Sequence, residues 1–322
     1  MNIAFAGFRH SHIFGLYESA KESSRVNIVG CFEEHAPTRE DVAEKYGIEF
    51  NYNTYDELIA DKNADAVAIG DSYGKRGNLA IKALKAGKHI ILDKPICTTL
   101  EELDEIERLS KENNLQVCCM LDLRYVVPAV KVKELIESGK IGQVKSVNFT
   151  GQHALSYGVR PSWYFEEGMH GGTINDIAIH GIDLIRFITG ESLTEVRAAK
   201  TWNCFADKEP HFKDCGQFMA QFGSVSVMAD VSYTAPNFKG ILPTYWDFCF
   251  WGTEGLIKFN YAEGNIHIYK SEEEIIECNN PAPGYLDAFV DETLGKKTMM
   301  DTPGVLASAR DTLTIQKYAD EN

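Results

Sequence analysis

The first part of the chain alternates short apolar segments with amphipathic segments of helical spacing, and this alternation restricts the fold more than any other feature. The five predicted strands cover about residues 3–7, 26–32, 66–69, 89–92 and 117–121. Such alternation predicts a doubly wound parallel sheet, the Rossmann arrangement. Ligands of these sheets bind beyond the carboxyl ends of the strands, so we expect a site in the loops that follow them.

From about Leu123 the pattern changes. Several later segments alternate apolar and polar residues, which is typical of a mostly antiparallel sheet with one face packed on helices. Because 322 residues exceed what one core usually holds, we predict an α/β chain of two domains, at residues 1–122 and 123–322. We expect the second sheet to leave one large face open, carrying Phe248, Phe250 and Tyr269, and this predicts an oligomer.

Composition narrows the possible partners. The formal net charge of −15 disfavours nucleic acid and anionic membrane surfaces, which need clustered lysine and arginine. No apolar segment has the length of a membrane span, and no signal peptide is visible. The eight cysteines are scattered without a C-x-x-C motif, and Cys118 adjoins Cys119. We therefore expect reduced, mostly buried thiols in a cytoplasmic protein.

The loop after the first predicted strand, residues 7–12, bears on dinucleotide binding. A dinucleotide-binding turn ideally reads G-x-G-x-x-G, because glycines let the backbone approach a pyrophosphate. Here Gly7 is in place, whereas Arg9 and His12 stand at the other two glycine positions. Glu33 follows the second strand, where an acid can accept hydrogen bonds from an adenosine ribose. Taken alone, Glu33 is better explained as an exposed surface glutamate than as a ribose ligand.

Two further segments carry residues suited to proton transfer. Lys94 comes directly after the fourth predicted strand and is held by a proline in the sequence Asp93-Lys94-Pro95, which favours a functional lysine over a solvated one. Asp176 and His180 are four residues apart in a predicted helix that is entered through two glycines. On a helix they share a face, as a proton-transfer pair or as a structural aspartate–histidine hydrogen bond.

The chain resembles the glucose-fructose oxidoreductase, inositol dehydrogenase and rhizopine catabolism (Gfo/Idh/MocA) family of NAD(P)-dependent oxidoreductases nearly from end to end. Residues 86–95 are similar to the family's A-G-K-H-V-hydrophobic-E-K-P segment. Arg124 with Pro128 and residues 138–142 resemble the crossover into the second domain. The second-domain motifs are Arg160-Pro161-Ser162-Trp163 and Gly171-Gly172-x3-Asp176-x3-His180-x2-Asp183.

This resemblance implies roles for individual residues. Lys94 would hold the reacting oxygen and the nicotinamide end, His180 would carry the hydroxyl proton, and Asp176 would orient one of them. The implied cofactor contacts are Gly7, Arg9, His10, His12, Glu33, Asp71, Arg76, Lys94 and Arg124. The implied substrate contacts are His153, Tyr157, Arg160 and Trp163. The first domain would then bind the dinucleotide, and the second would bind substrate and form a homodimer or homotetramer.

Some positions depart from the family pattern. Asp93 replaces the glutamate of the E-K-P element, and Arg76 stands where the family usually has a histidine. The pair His10-x-His12 has the spacing of metal ligands but no third ligand nearby in sequence, so we expect no metal.

The resulting hypothesis is an NAD-dependent dehydrogenase that acts on a secondary alcohol of a sugar, polyol or cyclitol. NAD is preferred over NADP because Glu33 and Glu34 would repel a 2′-phosphate. One alternative is a glycoside-cleaving enzyme that retains NAD and oxidises its substrate transiently. Another is a non-catalytic NAD- or sugar-binding regulatory protein, which the altered glycine motif favours and the lysine–aspartate–histidine set disfavours.

Overall fold

The computed structural model describes residues 1–278 and 284–322. The chain divides into two compact units. The first comprises residues 1–120, 168–171 and 285–306, and the second comprises residues 121–167, 172–284 and 307–322. Within the described residues, no helix combines the length and the apolar character needed to cross a membrane.

The first unit contains a five-stranded parallel sheet in the order β2-β1-β3-β4-β5. Its strands are β1 Asn2–Ala6, β2 Asn27–Phe32, β3 Ala66–Ile69, β4 His89–Leu92 and β5 Val117–Cys119. Its helices are α1 His12–Glu22, α2 Ala36–Tyr46, α3 Tyr55–Ala60, α4 Tyr73–Lys85 and α5 Leu100–Asn113. The predicted parallel sheet flanked by helices is thus confirmed.

Local sequence explains where these helices begin. Thr99 accepts a hydrogen bond from the amide of Glu102 and so caps α5, and Thr54 caps α3 through the amide of Glu57. The sequence predicts a helix from about residue 77 behind β3, but α4 already begins at Tyr73. Tyr73 and Arg76 therefore lie in the first turn of a helix rather than in a loop, and both are buried.

The second unit contains an eight-stranded sheet in the order β13-β12-β11-β10-β6-β9-β8-β7. Its neighbouring strands are antiparallel except for β6 and β9, which are parallel. The strands are β6 Val144–Ala154, β7 Leu193–Trp202, β8 Cys215–Phe222, β9 Val225–Ala235, β10 Asp247–Gly252, β11 Leu256–Asn260, β12 Ile266–Tyr269 and β13 Glu273–Ile276. The helices are α6 Leu123–Val126, α7 Ala129–Glu137 and α8 Ile179–Thr189, with a 3-10 turn at Ser162–Phe165. The last two helices of the chain are α9 Tyr285–Thr293 and α10 Thr302–Glu321.

The predicted placement of two aromatic residues on the open face of this sheet is wrong. Phe248 and Phe250 are fully buried, and both stack against Phe259. Side chains alternate along a strand, so the neighbouring Trp251 points to the other face, where it is 48% exposed. The strand register places Tyr269, Met219 and Met228 on the same face as Trp251, and all three are exposed. An exposed apolar face therefore exists, but it carries different residues.

The helix that holds Asp176 is not one continuous α-helix as the spacing predicted. Residues Ile174–Ala178 form a π-helical turn, and α8 begins at Ile179. A π turn takes up an extra residue, so the side chains on either side of it lose the simple four-residue stacking. Such turns occur frequently at functional sites.

Candidate functional site

In the first unit, a buried charge cluster forms where the loops after β1, β3 and β4 meet. Asp93 follows β4 and has no exposed surface. Its carboxylate is contacted by His10 Nδ1, by His12 Nδ1 at 3.2 Å and by Arg76 Nη2 at 3.0 Å. Burial alone would raise the pKa of Asp93, but His10, Arg76 and His12 hold this pKa well below its ordinary value. Asp93 is therefore ionised at neutral pH and balances the buried guanidinium.

His10 links this carboxylate to a tyrosine. Its Nε2 lies 3.0 Å from the hydroxyl of Tyr73, while its Nδ1 contacts Asp93. Burial lowers the pKa of His10 to about 4 in spite of the neighbouring carboxylate. The imidazole is then neutral at pH 7, and the tautomer that satisfies both contacts donates from Nδ1 to Asp93 and accepts from Tyr73 at Nε2. Tyr73, His10 and Asp93 thus form a buried hydrogen-bonded chain.

Arg76 ties the loops after β3 and β4 together. Its Nε donates to the carbonyl of Asp71 at 2.7 Å, and its Nη1 donates to the carbonyls of Lys94 and Pro95. The guanidinium also lies over the ring of Tyr73, 4.5 Å from its centroid. Arg76, which stands where the family usually has a histidine, thereby fixes the backbone from which the Lys94 side chain extends.

Lys94 is itself 5% exposed, and its ammonium lies 5.8 Å from the centroid of the Tyr73 ring. The predicted placement directly after a buried strand is what the structure shows, since β4 ends at Leu92.

The remaining first-unit residues lie around the same strand ends. Gly7 has a positive φ of 79°, and a Cβ atom at this position would come within 2.8 Å of the backbone of Asp71. Close packing of the β1 and β3 loops therefore requires glycine at position 7. Asp71 is buried and accepts a hydrogen bond from the amide of Ser72 at 2.6 Å.

Glu33 is buried, so it is not an exposed surface glutamate. Its carboxylate accepts hydrogen bonds from the amide of Phe8 at 2.6 Å and from that of His35 at 2.7 Å. Burial nevertheless raises the pKa of Glu33 to about 7. Arg9, which is partly exposed, lies close enough to Glu33 to lower its pKa slightly. An acid for ribose hydroxyls beside a cation for phosphate is a donor set that fits a dinucleotide.

Three ligand groups of this cluster also have the composition of a metal site. One atom each from His10, His12 and Asp93 lie within 4.8 Å of one another. Asp93 thus supplies in space the third ligand that is missing nearby in sequence. Arg76 already pairs with this carboxylate, and its positive charge competes with any cation there. The expectation of no metal stays a prediction.

In the second unit, Asp176 lies in the π turn and is buried. The hydroxyl of Tyr233, at the end of β9, donates a hydrogen bond to its carboxylate. The entry to this turn is held by α10, because Gln316 accepts hydrogen bonds from the amides of Ile174 and Asn175. Gly172 has a φ of 96°, and a Cβ atom there would lie 2.2 Å from Gln316. A glycine at position 172 therefore lets α10 approach the turn.

His180 lies in the first turn of α8 and is buried against Trp246, with ring centroids 5.3 Å apart. Its Nδ1 is 3.6 Å from a carboxylate oxygen of the partly exposed Asp122. Gly151 makes room for this arrangement, because a Cβ atom there would lie 2.8 Å from Trp246. The imidazole thus has an apolar wall on one side and an acid on another, which suits a group that exchanges protons.

Two of the four predicted substrate contacts lie beside these groups. The Arg160 guanidinium lies over the ring of Tyr233, 4.7 Å from its centroid. The His153 ring lies 5.5 Å from that of Trp246 and 6.2 Å from that of Tyr233. Tyr233 and Trp246 therefore connect His153, Arg160, Asp176 and His180 within the second unit. Sequence reasoning missed both connecting residues, since each reads as an ordinary aromatic residue at a strand end.

The other predicted contacts have different immediate neighbours. Trp163 is buried and stacks on Tyr164, with centroids 4.1 Å apart. Tyr157 is 55% exposed and donates a hydrogen bond to Glu209. Arg124, predicted to contact the cofactor, forms a buried two-pronged ion pair with Asp183 in the second unit.

The parallel sheet of the first unit, with Arg9 and Glu33 in the loops after its first two strands, defines a dinucleotide-binding protein of the Rossmann class. Comparison with known proteins gives the family. Residues 1–120 match the model of the oxidoreductase family with an NAD-binding Rossmann fold, and residues 129–258 match the GFO/IDH/MocA C-terminal domain. The chain belongs to the Gfo/Idh/MocA oxidoreductase family, and its first unit contains the NAD-binding Rossmann domain.

Similar proteins include named dehydrogenases. Levoglucosan dehydrogenase from Pseudarthrobacter phenanthrenivorans is 30% identical over 167 residues, which are 50% of this chain and 42% of the relative. Myo-inositol 2-dehydrogenase from Thermotoga maritima is 31% identical over 158 residues, which are 49% of this chain and 46% of the relative. The chain thus spans about half the length of the curated relatives it matches.

Solved structures share the fold along the whole chain. An oxidoreductase from Erwinia carotovora atroseptica aligns with a TM-score of 0.88 at 23% sequence identity and covers 99% of this chain and 98% of its own. At this identity the likeness shows the fold alone.

Proposed function

We propose that this protein is an NAD-dependent dehydrogenase that oxidises a secondary alcohol of a sugar, polyol or cyclitol. The observation that carries the proposal is the buried acid–base group of the second unit, in which Asp176 accepts a hydrogen bond from Tyr233 and His180 is packed against Trp246. The relatives named for levoglucosan and myo-inositol support this substrate class.

The reaction divides between cofactor and protein. Bound NAD supplies the hydride acceptor, and the protein must supply a proton acceptor. His180 takes the hydroxyl proton of the substrate. Lys94 holds the reacting oxygen through its ammonium, which favours the alkoxide that develops as the proton leaves. Asp176 orients the proton-transferring groups, and Tyr233 fixes the position of that carboxylate.

On the cofactor side, Glu33 would accept hydrogen bonds from the adenosine ribose and Arg9 would contact phosphate. We propose residues 1–122 as the cofactor-binding part and residues 123–322 as the part that binds substrate and forms oligomers.

The exposed face that carries Met219, Met228 and Trp251 supports a homodimer or homotetramer. Light scattering at micromolar concentration that gives the 36.0 kDa of one chain would contradict this assembly. We also place the protein in the cytoplasm, without nucleic acid or membrane partners.

The test is a substrate screen. Purified protein is mixed with NAD or NADP and with inositols, linear polyols, aldoses and anhydrosugars, and the absorbance of reduced cofactor is followed. The proposal predicts stoichiometric reduction of NAD with at least one of these alcohols. Cleavage of a glycoside without net NAD reduction would favour the NAD-retaining alternative. Tight NAD binding without turnover of any compound in the screen would favour a binding protein.

A further inference from the structure

Two cysteines in the second unit lie in direct contact. The thiol of Cys215, at the start of β8, lies 3.4 Å from the sulfur of Cys204, which follows the end of β7. All eight cysteines fall within residues 1–278, and Cys204 is the exposed one among them, whereas Cys215 is buried. The pair thus combines a sulfur that solutes can reach with a second sulfur immediately behind it.

The backbone around the pair is fixed by Asp214. Its carboxylate accepts hydrogen bonds from the amides of Cys204, Phe205 and Ala206, at distances of 2.6 to 2.7 Å. The indole N–H of Trp202 also donates to the sulfur of Cys204, at 3.3 Å. These contacts hold the two sulfurs together across the ends of two paired strands, so a bond between them needs little backbone movement.

The segment between the two cysteines connects to the acid–base group. Phe212 packs against Tyr233, with ring centroids 5.3 Å apart. The amide of Tyr233 donates to the carbonyl of Asp214 at 2.7 Å, and its hydroxyl donates to Asp176. A covalent link from residue 204 to residue 215 would therefore restrain the loop that supports Tyr233.

We propose that Cys204 and Cys215 form a reversible thiol–disulfide site that responds to peroxide and restrains the loop against Tyr233. The thiolate of Cys204 attacks the peroxide, giving a sulfenic acid and releasing one water molecule after protonation. The sulfur of Cys215 then displaces the sulfenic hydroxyl, which leaves as a second water molecule. Two thiols lose two electrons and two protons, and hydrogen peroxide is reduced to two water molecules.

The order of these steps follows from the surroundings of each sulfur. Cys204 is exposed and is the one that peroxide can reach. Burial raises the pKa of the Cys215 thiol, which makes it a poor first nucleophile. The Cys215 sulfur nevertheless lies close enough to Cys204 to displace the hydroxyl of its sulfenic acid. The proposal concerns a second reactivity of the chain and holds whether or not the dehydrogenase assignment is correct.

Peptide mapping tests the proposal on the full chain. The reduced protein is treated with hydrogen peroxide, alkylated and digested with trypsin under non-reducing conditions. Lys208 and Lys213 lie between the cysteines, so a disulfide joins two separate tryptic peptides. We expect this linked pair within one chain, its loss on addition of dithiothreitol, and its absence in Cys204→Ser and Cys215→Ser. The matched control Cys249→Ser, at a partly buried cysteine of the same sheet, should keep the link.

Two further results separate the steps. Cys215→Ser should accumulate a sulfenic acid at residue 204 that dimedone traps. Hydrogen exchange of amides 205–212 in the oxidised wild-type chain should slow by on the order of tenfold, because the link limits local opening. The proposal fails if Cys204 is oxidised to sulfinic acid while Cys215 remains open to alkylation. It also fails if the main product links two chains, or if oxidation leaves the exchange of this loop unchanged.

Discussion

Two buried carboxylates, Asp93 in the first unit and Asp176 in the second, have different electrostatic surroundings. Asp93 is contacted by Arg76 and two histidines, so its charge is compensated by groups that also hold neighbouring loops. Asp176 receives the hydroxyl of Tyr233, whose ring lies beneath Arg160. We infer that the first carboxylate mainly stabilises the fold, whereas the second takes part in proton transfer. Substitution of Asp93 should therefore mainly lower the free energy of unfolding, whereas substitutions around Asp176 should mainly lower kcat.

The largest effect on stability is expected at Asp93. Asp93→Asn keeps the shape but removes the charge that compensates the fully buried Arg76. Breaking a buried pair in this way typically costs about 3–5 kcal/mol in the free energy of unfolding. Urea denaturation measures this loss. The control Asp56→Asn, at an exposed position, should change the free energy by less than about 0.5 kcal/mol. Equal, small changes in both variants would show that Asp93 does not stabilise the first unit.

Lys94 is the residue of the first cluster for which we expect an effect on rate. Lys94→Ala removes the ammonium that favours the developing alkoxide, so kcat should fall by roughly 10²–10³-fold. Tyr73 and Arg76 hold the surrounding backbone, so the thermal midpoint should stay near that of the wild type. Lys85→Ala, at an exposed position of α4, should retain wild-type turnover. Wild-type kcat in Lys94→Ala would remove Lys94 from the reaction.

Glu33 gives a pH-dependent prediction. Since its pKa is about 7, the carboxylate repels a 2′-phosphate fully only above neutral pH. The ratio of the Kd of NADP to that of NAD should therefore rise between pH 6 and pH 8, by roughly four- to ninefold for a repulsion of 1–3 kcal/mol at full charge. Glu33→Gln should abolish this rise, whereas Glu34→Gln, at an exposed neighbour, should keep it. Tighter binding of NADP than of NAD at pH 8 would refute the preference.

The same residue affects stability with a defined sign. Burial raises the pKa of Glu33 from 4.5 to about 7, so the folded protein favours its protonated form. The contribution of the Glu33 side chain to the free energy of unfolding is fully present below pH 4.5 and is lost as the pH rises through about 7. Glu33→Gln should therefore become more stable relative to the wild type as the pH rises from 5 to 8, by roughly 3 kcal/mol at most. A difference that is independent of pH would contradict the raised pKa.

The smallest of these effects is expected at Tyr233. Tyr233→Phe removes the hydroxyl that donates to Asp176 and leaves the ring that packs against Phe212. Losing a hydrogen bond to a charged group corresponds to about 1.5 kcal/mol, or about tenfold in kcat, with an altered pH–rate profile. Tyr46→Phe, at an exposed position in α2, is the matched control. An unchanged profile in Tyr233→Phe would make this hydrogen bond structural only.

Within residues 1–120 the sequence predicted the order of the five strands and five helices, because apolar periodicity is local. It also placed Lys94, since a lysine between a buried strand and a proline is a local feature. The partners of Asp93 and Asp176 were not predictable in this way, because His10 and Tyr233 lie 83 and 57 residues away in sequence. Helical spacing could not reveal the π turn, because residues 173–185 are all buried and no exposed face marks the change of phase.

The open face of the second sheet shows a different limit. Alternation along β10 identifies Phe248 and Phe250 as sharing one face, but both faces carry aromatic residues. The two-residue period therefore shows which side chains share a face of the strand. It does not show which of the two faces is buried. Tyr269 was placed correctly on the exposed face, whereas the two phenylalanines were not.

Turnover of His180→Ala, measured together with its thermal melt, tests the central claim most directly. Using the alcohol that reduces NAD fastest in the screen, we predict a fall in kcat of about 10²–10⁴-fold with a near-normal melting curve. The matched control His211→Ala, at an exposed histidine, should retain both properties. Normal turnover in His180→Ala, or a rate loss accompanied by a much lower melting temperature, would contradict the role of His180 as the proton carrier.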